Sequence, residues 1–194
     1  SVGASPKKEA IELGLSKASN PWIITTDADC IVPKSWLSAF DGFIGSSSPK
    51  MIVAPVTYFP GKRFLDTFQL LDFISLQGST MGSFGLKGKG ISRPFLCNGA
   101  NLCYEKKAFL DIDGYKGNEN IASGDDVFLL EKMVEKFPDK VKFIKSKEAI
   151  VRTSGQENLK GLIQQRVRWA AKTGSYRHSF AKLVGLIVFS ANAL

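Results

Sequence analysis

Two short acidic segments carry the residue types best suited to chemistry. Asp27-Ala28-Asp29 follows Trp22-Ile23-Ile24-Thr25-Thr26, a bulky, β-branched run that predicts a buried strand ending at the first aspartate. In α/β sheets ligands gather at the carboxyl ends of strands, so two carboxylates are well placed there. Separated by one residue on irregular backbone, they can reach one hard divalent cation, Mg²⁺ or Mn²⁺, that draws further ligands from water and substrate phosphates. Aspartate is also common in turns and caps, so the spacing alone is weak. Gly124-Asp125-Asp126 stands just before an apolar periodic run. One acid is enough to cap a helix there. The second is free to point into a cleft and act as a general base.

A third segment, Gln165-Arg166-Val167-Arg168-Trp169, puts Gln165, Arg168 and Trp169 at i, i+3 and i+4 of a predicted helix, on one face. The ring can stack on a sugar or an acceptor while the guanidinium binds phosphate oxygens. A partly buried tryptophan flanked by solvated arginines is the plainer alternative. Asn98-Gly99-Ala100-Asn101 suits a turn, and its small side chains also let a ligand approach the backbone. Lys87-Gly88-Lys89-Gly90 lacks the Gly-Lys-Ser/Thr of a phosphate-binding loop and is expected to be a mobile loop.

The elements that must position these groups alternate. Pro6 suits a first helical position behind a Ser5 cap, with Ile11, Leu15 and Ala18 on one face and Asn20-Pro21 as a stop. The strand at 22–26, a helix at 35–43 and a strand at 51–54 follow, the rhythm of an α/β sheet with parallel strands. Residues 64–77 place Phe64, Phe68, Leu71 and Ile74 at helical spacing, and 78–90 reads as a glycine-rich loop. Strand and turn return at 96–102. A helix begins near Asp125 with Val127, Leu130, Val134 and Phe137 on one side. Residues 140–153 alternate like a hairpin or two short strands, and 161–174 is helical.

At 194 residues, with 44% hydrophobic and 23% charged side chains, the chain is about one domain with a real core, which excludes a disordered tail, a collagen-like repeat and a coiled coil. Cys30, Cys97 and Cys103 are too few for a disulfide framework, and with His178 the only histidine a structural zinc site is not expected. A reducing compartment fits. Residues 152–182 hold seven Lys/Arg against Glu157, so six of the eight net positive charges lie there. Such a stripe suits phosphate groups on a ligand or a lipid surface and is not by itself a nucleic-acid signature. Residues 180–194 are nearly all apolar, shorter than the roughly 20 residues a span needs. Following a basic stretch, they are expected to begin a membrane segment on the cytoplasmic side, behind a catalytic domain at 1–179.

Taken together, the motifs resemble the family-two inverting glycosyltransferases of GT-A fold, closest to their membrane-associated, cellulose-synthase-like branch. Lys7-Lys8-Glu9-Ala10-Ile11 looks like the Gly-Lys-x-x-Ala helix start, with Pro6 or Lys7 where the family has glycine. Thr26-Asp27-Ala28-Asp29-Cys30 looks like the D-x-D segment. Gly124-Asp125-Asp126 resembles the T-E-D segment, with Asp125 in place of Glu, and Gln165 to Trp169 is similar to Q-x-x-R-W. Asn98-Gly99-Ala100-Asn101 looks like the loop bordering the donor sugar.

The resemblance implies a mixed, mainly parallel sheet and a sugar transfer, with inversion, from a nucleotide-diphosphate donor (UDP- or GDP-linked) to a hydroxyl on a glycan or lipid. It makes Asp126 the base and Asp29 the ligand of Mn²⁺ or Mg²⁺. Asp27, Lys8, Asn98, Gly99 and Ala100 fall on the donor side, and Asp125, Gln165, Arg168 and Trp169 at the diphosphate and acceptor. It also implies a preceding strand with the base-binding segment, so that this chain is a piece carrying the metal and acceptor half. A membrane surface is an expected partner, with 64–77 as an interfacial helix; nucleic acid is not. Two alternatives come from other classes. A haloacid-dehalogenase-like phosphohydrolase would use Asp27 as nucleophile, but residues 118–123 are mostly polar where that family has a strand, and Gln165, Arg168 and Trp169 would go unexplained. A basic membrane-surface binding module would use the 152–182 stripe but has no need of clustered acids.

Overall fold

The computed structural model describes residues 6–85, 94–117 and 124–173, with side chains as far as Trp169. Helix α1 (Pro6–Lys17) opens on Pro6, whose missing N–H costs nothing in a first turn, and delivers the chain to β1 (Trp22–Thr25). Helix α2 (Trp36–Ser47) ends with Ser48 in the left-handed region, its N–H returning to the Ile44 carbonyl. Then come β2 (Met51–Val53), β3 (Val56–Tyr58) and the long helix α3 (Phe64–Gly85). A 3-10 turn at Gly99–Asn101 leads into β4 (Leu102–Glu105) and the short helix α4 (Lys106–Asp111). The chain continues through α5 (Asp125–Lys136), β5 (Val141–Phe143), β6 (Val151–Thr153) and α6 (Leu159–Thr173).

Strands β1, β2 and β5 point one way in a sheet of order β1-β4-β2-β5, with β4 inserted antiparallel between β1 and β2. The fold is therefore mixed α/β with mainly co-directional strands, as expected. A strand period of two sends alternate residues to opposite faces. Met51, Val53, Leu102 and Tyr104 meet α1, α4 and α5 on one side; Ile52 and Cys103 meet Trp36 and Phe40 of α2 on the other. Both sides being covered explains why Met51-Ile52-Val53 is apolar without alternation.

At Ala54-Pro55 the chain leaves the main sheet, and β3 then pairs in parallel with β6. The Pro55 carbonyl accepts the Val151 N–H at 3.1 Å, which ties the bend to the partner strand. Residues 141–153 are accordingly two strands in two sheets and not a hairpin, because each pairs with its neighbour from the β2–β3 ribbon.

The glycine-rich loop expected from residue 78 is also corrected: α3 continues through Gly78 and Gly82 to Gly85. Hydroxyls of Ser79 and Thr80 bond carbonyls one turn back, at 3.1 and 3.0 Å, and Thr80 and Ser83 are buried against the body of the protein. Tertiary burial thus overrides the weak helix propensity of glycine and serine. Gly114 is required: its φ is +48°, and a Cβ would stand 2.6 Å from the Phe109 ring. Lys87 to Gly90 and the 180–194 run lie outside the described residues. Among the described residues no helix is long and apolar enough to cross a membrane.

Candidate active site

Three elements that are distant in sequence bring their charged ends together around a cleft of about 530 Å³. The end of β1 supplies Thr25 and Asp27, the first turn of α1 supplies Lys7, and the start of α5 supplies Asp125 and Asp126. Gly99 lies opposite, and Tyr104 and Tyr115 close part of the wall.

Asp126 is held from two sides. Its Oδ1 accepts the neighbouring Val127 N–H at 2.9 Å in the first turn of α5, and its Oδ2 accepts the Gly99 N–H at 3.0 Å. Each oxygen keeps a second acceptor site for a ligand hydroxyl. Gly99 is also clamped by the Thr25 hydroxyl, which donates to its carbonyl at 3.0 Å. A Cβ on Gly99 would come 3.4 Å from the Asp126 Cβ, an ordinary van der Waals contact, so the Gly99 backbone lies directly against the carboxylate.

The two lysines of α1 divide. Lys7 Nζ lies 3.1 Å from Asp27 Oδ1, with both side chains about half exposed at 56% and 43%. Partial burial works against its charge, but Asp27, joined by Asp126 and Asp125, more than offsets this and holds the ammonium above the usual lysine range. Lys8, one residue on and across the helix, is buried, with Nζ 3.2 Å from Asp125 Oδ1; only 5% and 8% of these side chains are exposed. The contact is an ion pair by distance, without the alignment of a hydrogen bond. Lys8, expected at the donor, and Asp125, expected at the diphosphate or acceptor, thus face each other inside the protein. The lysine that faces the cleft is Lys7.

The Asp27-Ala28-Asp29-Cys30 segment is a turn closed by the Cys30 N–H on the Asp27 carbonyl at 3.1 Å. It turns the two acids apart. Asp29 is exposed and accepts from the Thr153 hydroxyl at 3.3 Å at the end of β6. Among the described residues no cluster of three or more metal-ligating side chains exists. One exposed carboxylate nevertheless fits a Mg²⁺ or Mn²⁺ ion that takes most of its ligands from substrate phosphates and water.

The Asn98–Asn101 loop does several jobs. Asn98 accepts the Ala100 N–H at 3.0 Å, Ala100 is buried beside Tyr58 and Phe73, and Asn101 is fully buried. Asn101 accepts from the Trp36 indole at 3.0 Å and donates to the Pro55 and Ala149 carbonyls, both at 2.7 Å. Trp169 of α6 packs on this same cluster, 6.3 Å from Phe73 between ring centres. Gln165 is part-buried near Tyr58, and its Oε1 has no hydrogen-bond partner. Arg168 is exposed; the arginine turned inward is Arg166, paired with Asp72 and lying 4.3 Å over the Trp169 ring.

Of the residues expected from sequence, the cleft gathers Asp27, Asp125, Asp126 and Gly99. Lys8, Asp29, Asn98, Ala100, Gln165, Arg168 and Trp169 lie outside its lining. Sequence reasoning missed Lys7, Thr25 and Tyr115 as cleft residues, and Arg166 as the arginine turned inward. The adjacent lysines and the second arginine of the Gln165–Trp169 segment were visible signals for two of these; Tyr115 had none. Burial, with Tyr104, Asp125 and Asp126 nearby, pushes the Tyr115 hydroxyl far up, so it stays a neutral hydrogen-bonding wall. The three cysteines are free thiols, and burial pushes Cys103 up to about 12.

No family model matches the sequence, and no curated protein matches it. Among solved structures, the chain is similar to glucosyl-3-phosphoglycerate synthase from Mycobacterium tuberculosis in complex with phosphoglyceric acid. The TM-score is 0.44 at 15% identity, covering 80% of this chain and 49% of that one, so the chain spans about half the length of that neighbour.

Proposed function

We propose that this chain is part of a nucleotide-sugar glycosyltransferase of GT-A type that inverts at the anomeric carbon, in the membrane-associated, cellulose-synthase-like branch of family two. The observation that carries the proposal is Asp126, a carboxylate fixed by the Gly99 and Val127 N–H groups and facing a cleft that it shares with Lys7 and Asp27. Direct displacement needs one base on the acceptor hydroxyl, and Asp126 takes that proton. The acceptor oxygen attacks the anomeric carbon and the diphosphate leaves with the bonding pair, so no covalent intermediate on the enzyme is required. Lys7 supplies positive charge toward the departing diphosphate, and Asp27 orients Lys7 and the donor's hydroxyls. Lys8 serves the donor side indirectly, by holding Asp125 and with it the start of α5 against α1. Gly99 shapes the wall beside the donor sugar, and Asn98 and Ala100 hold the turn that presents it.

Asp29 would hold Mn²⁺ or Mg²⁺, which when bound supplies charge to the donor diphosphate. Gln165, Arg168 and Trp169 bind at the acceptor end, on a glycan or lipid hydroxyl. The D-x-D turn leaves Asp27 to Lys7 and Asp29 exposed beside Thr153 of β6.

The test is a panel of UDP- and GDP-sugars, with and without Mn²⁺, read as release of nucleoside diphosphate. General-base removal costs about 10²- to 10⁴-fold, so Asp126→Asn is expected to lose transfer by that factor while donor binding survives. Loss of donor binding would sink the base assignment. Asp29→Ala should lower metal-dependent donor binding; unchanged Mn²⁺ dependence would move the metal elsewhere. Phosphate release from phosphomonoesters through Asp27 would replace the whole reading with a phosphohydrolase.

A further inference from the structure

The cleft has an exposed mouth and a buried wall. Lys7 and Asp27 at the mouth are about half exposed. Tyr104, Tyr115 and Asp125 line the same cleft but are only 0%, 5% and 7% exposed. Proton transfer at Asp126 and positive charge from Lys7 leave these three without a part in the chemistry. Two of their polar atoms are unsatisfied: among the described residues, neither the Tyr104 hydroxyl nor Asp125 Oδ1 has a hydrogen-bond partner. Tyr115 lies within electrostatic reach of both. A buried polar group left unpaired is destabilising, so two on one cavity wall point to a ligand that enters and pairs with them.

The turn that presents Tyr115 is built with unusual backbone. Asp113 and Gly114 both lie in the left-handed region, at φ +56° and +48°, and Gly117 follows at +90°. Lys132 of α5 holds this turn by donating to the Gly114 and Lys116 carbonyls, at 2.7 and 3.2 Å. The Phe109 ring packs on both tyrosines, its centre 5.5 Å from Tyr104 and 5.3 Å from Tyr115. Such backbone persists where the surrounding contacts over-determine it, and it clusters at ligand sites.

Charge and protonation select the ligand. Burial pushes both tyrosine hydroxyls far up, so each stays protonated and can donate as well as accept. A sugar hydroxyl has the same double capacity. An anionic group does not suit the wall, because Lys7 already faces Asp27, Lys8 already faces Asp125, and Asp126 lines the cleft beside them. Gly99 fixes Asp126 on this lining. A donor ring attacked by the hydroxyl that Asp126 deprotonates therefore turns its own hydroxyls toward Tyr104, Tyr115 and Asp125.

We propose that Tyr104, Tyr115 and Asp125 determine which donor sugar this chain accepts, by hydrogen-bonding the hydroxyls of an uncharged ring and disfavouring a uronic acid. The proposal rests on the nucleotide-sugar reading and adds to it the residues that select the sugar and its charge class.

The experiment is titration calorimetry of the 194-residue chain with Mn²⁺, comparing UDP and GDP with UDP-glucose, UDP-N-acetylglucosamine, GDP-mannose and UDP-glucuronate. At least one neutral sugar nucleotide is expected to bind more tightly than its bare nucleotide, and UDP-glucuronate at least about tenfold more weakly than that sugar nucleotide. Tyr115→Phe and Tyr104→Phe should each remove about three- to tenfold of the affinity that the sugar adds, the worth of one hydrogen bond, and leave bare nucleotide binding unchanged. Because the Tyr104 hydroxyl bonds nothing among the described residues, Tyr104→Phe should also keep or raise the unfolding midpoint. Equal affinity for bare and sugar nucleotides, equal binding of UDP-glucuronate, or full sugar affinity in both phenylalanine variants would each overturn the proposal and leave the nucleotide-sugar reading standing. A lower midpoint for Tyr104→Phe would also overturn it, by assigning that hydroxyl to the fold. Absence of binding by every nucleotide would instead overturn the nucleotide-sugar reading, and the donor wall with it.

Discussion

Asp126 and Lys8 show how one side-chain environment separates reactivity from scaffolding. Both acids at the start of α5 line the cleft, yet only Asp126 reaches the Gly99 N–H, while Asp125 is buried against Lys8. A buried pair loses about 3–5 kcal/mol when one partner is removed, because the other charge is stranded. Lys8→Met should therefore lower the urea midpoint strongly, and Lys8→Met/Asp125→Leu should recover most of the loss. Equal destabilisation in the double variant would show that packing, not the stranded charge, dominates. Lys7 behaves differently. Its raised pKa means that the pair with Asp27 contributes fully below the ordinary lysine value and is lost as pH rises through the higher folded value. Asp27→Asn should bring the Lys7 titration, followed by NMR at the side-chain carbon next to nitrogen, down toward the ordinary value. No movement would mean that Asp125 and Asp126 hold the charge alone.

Among the elements, the turn at Gly99–Asn101 couples most of the site. It ties β1 through Thr25, α5 through Asp126 and the β2–β3 bend through Pro55. Asn101 is the anchor: truncation would strand the Trp36 indole N–H and take a bond from the Ala149 carbonyl, while the Pro55 carbonyl keeps the Val151 N–H. An unpaired buried group costs about 1–3 kcal/mol, so Asn101→Ala should destabilise by at least about 2 kcal/mol in chemical unfolding. Asn101→Asp keeps the bond from Trp36 but offers no donor to the two carbonyls, and it should not rescue. A smaller loss, near that of a surface asparagine, would mean that water enters and replaces the side chain. The same turn explains why Asn98-Gly99-Ala100-Asn101 reads as a simple loop locally: its bonding partners lie tens of residues away.

On the scale of the whole molecule, the net charge of +8 and the basic concentration at 152–182 create a field that favours anions. Binding of a nucleoside diphosphate should therefore fall severalfold between about 0.05 and about 0.5 M salt, by titration calorimetry, as the Debye length shrinks. Salt-independent binding would show that contacts inside the cleft outweigh the field.

Periodicity and punctuation alone determined that β1 ends just before the first aspartate, that α5 begins at Asp125 and that helices and strands alternate as in an α/β fold, because hydrophobic spacing and capping act within a few residues. They also marked Asp27, Asp126 and Gly99 as chemically able. Local signals misled where burial decided, since α3 runs through its glycines; of the two readings left open for 140–153, two short strands hold, in separate sheets. Only the tertiary structure decided which charges meet. Lys7 takes Asp27 and Lys8 takes Asp125, Asp29 turns away from its neighbour, and Arg166 pairs with Asp72 while Arg168 is exposed. Sequence records the charges of these groups but not their directions, which follow from how helices and strand ends far apart in the chain are packed against one sheet.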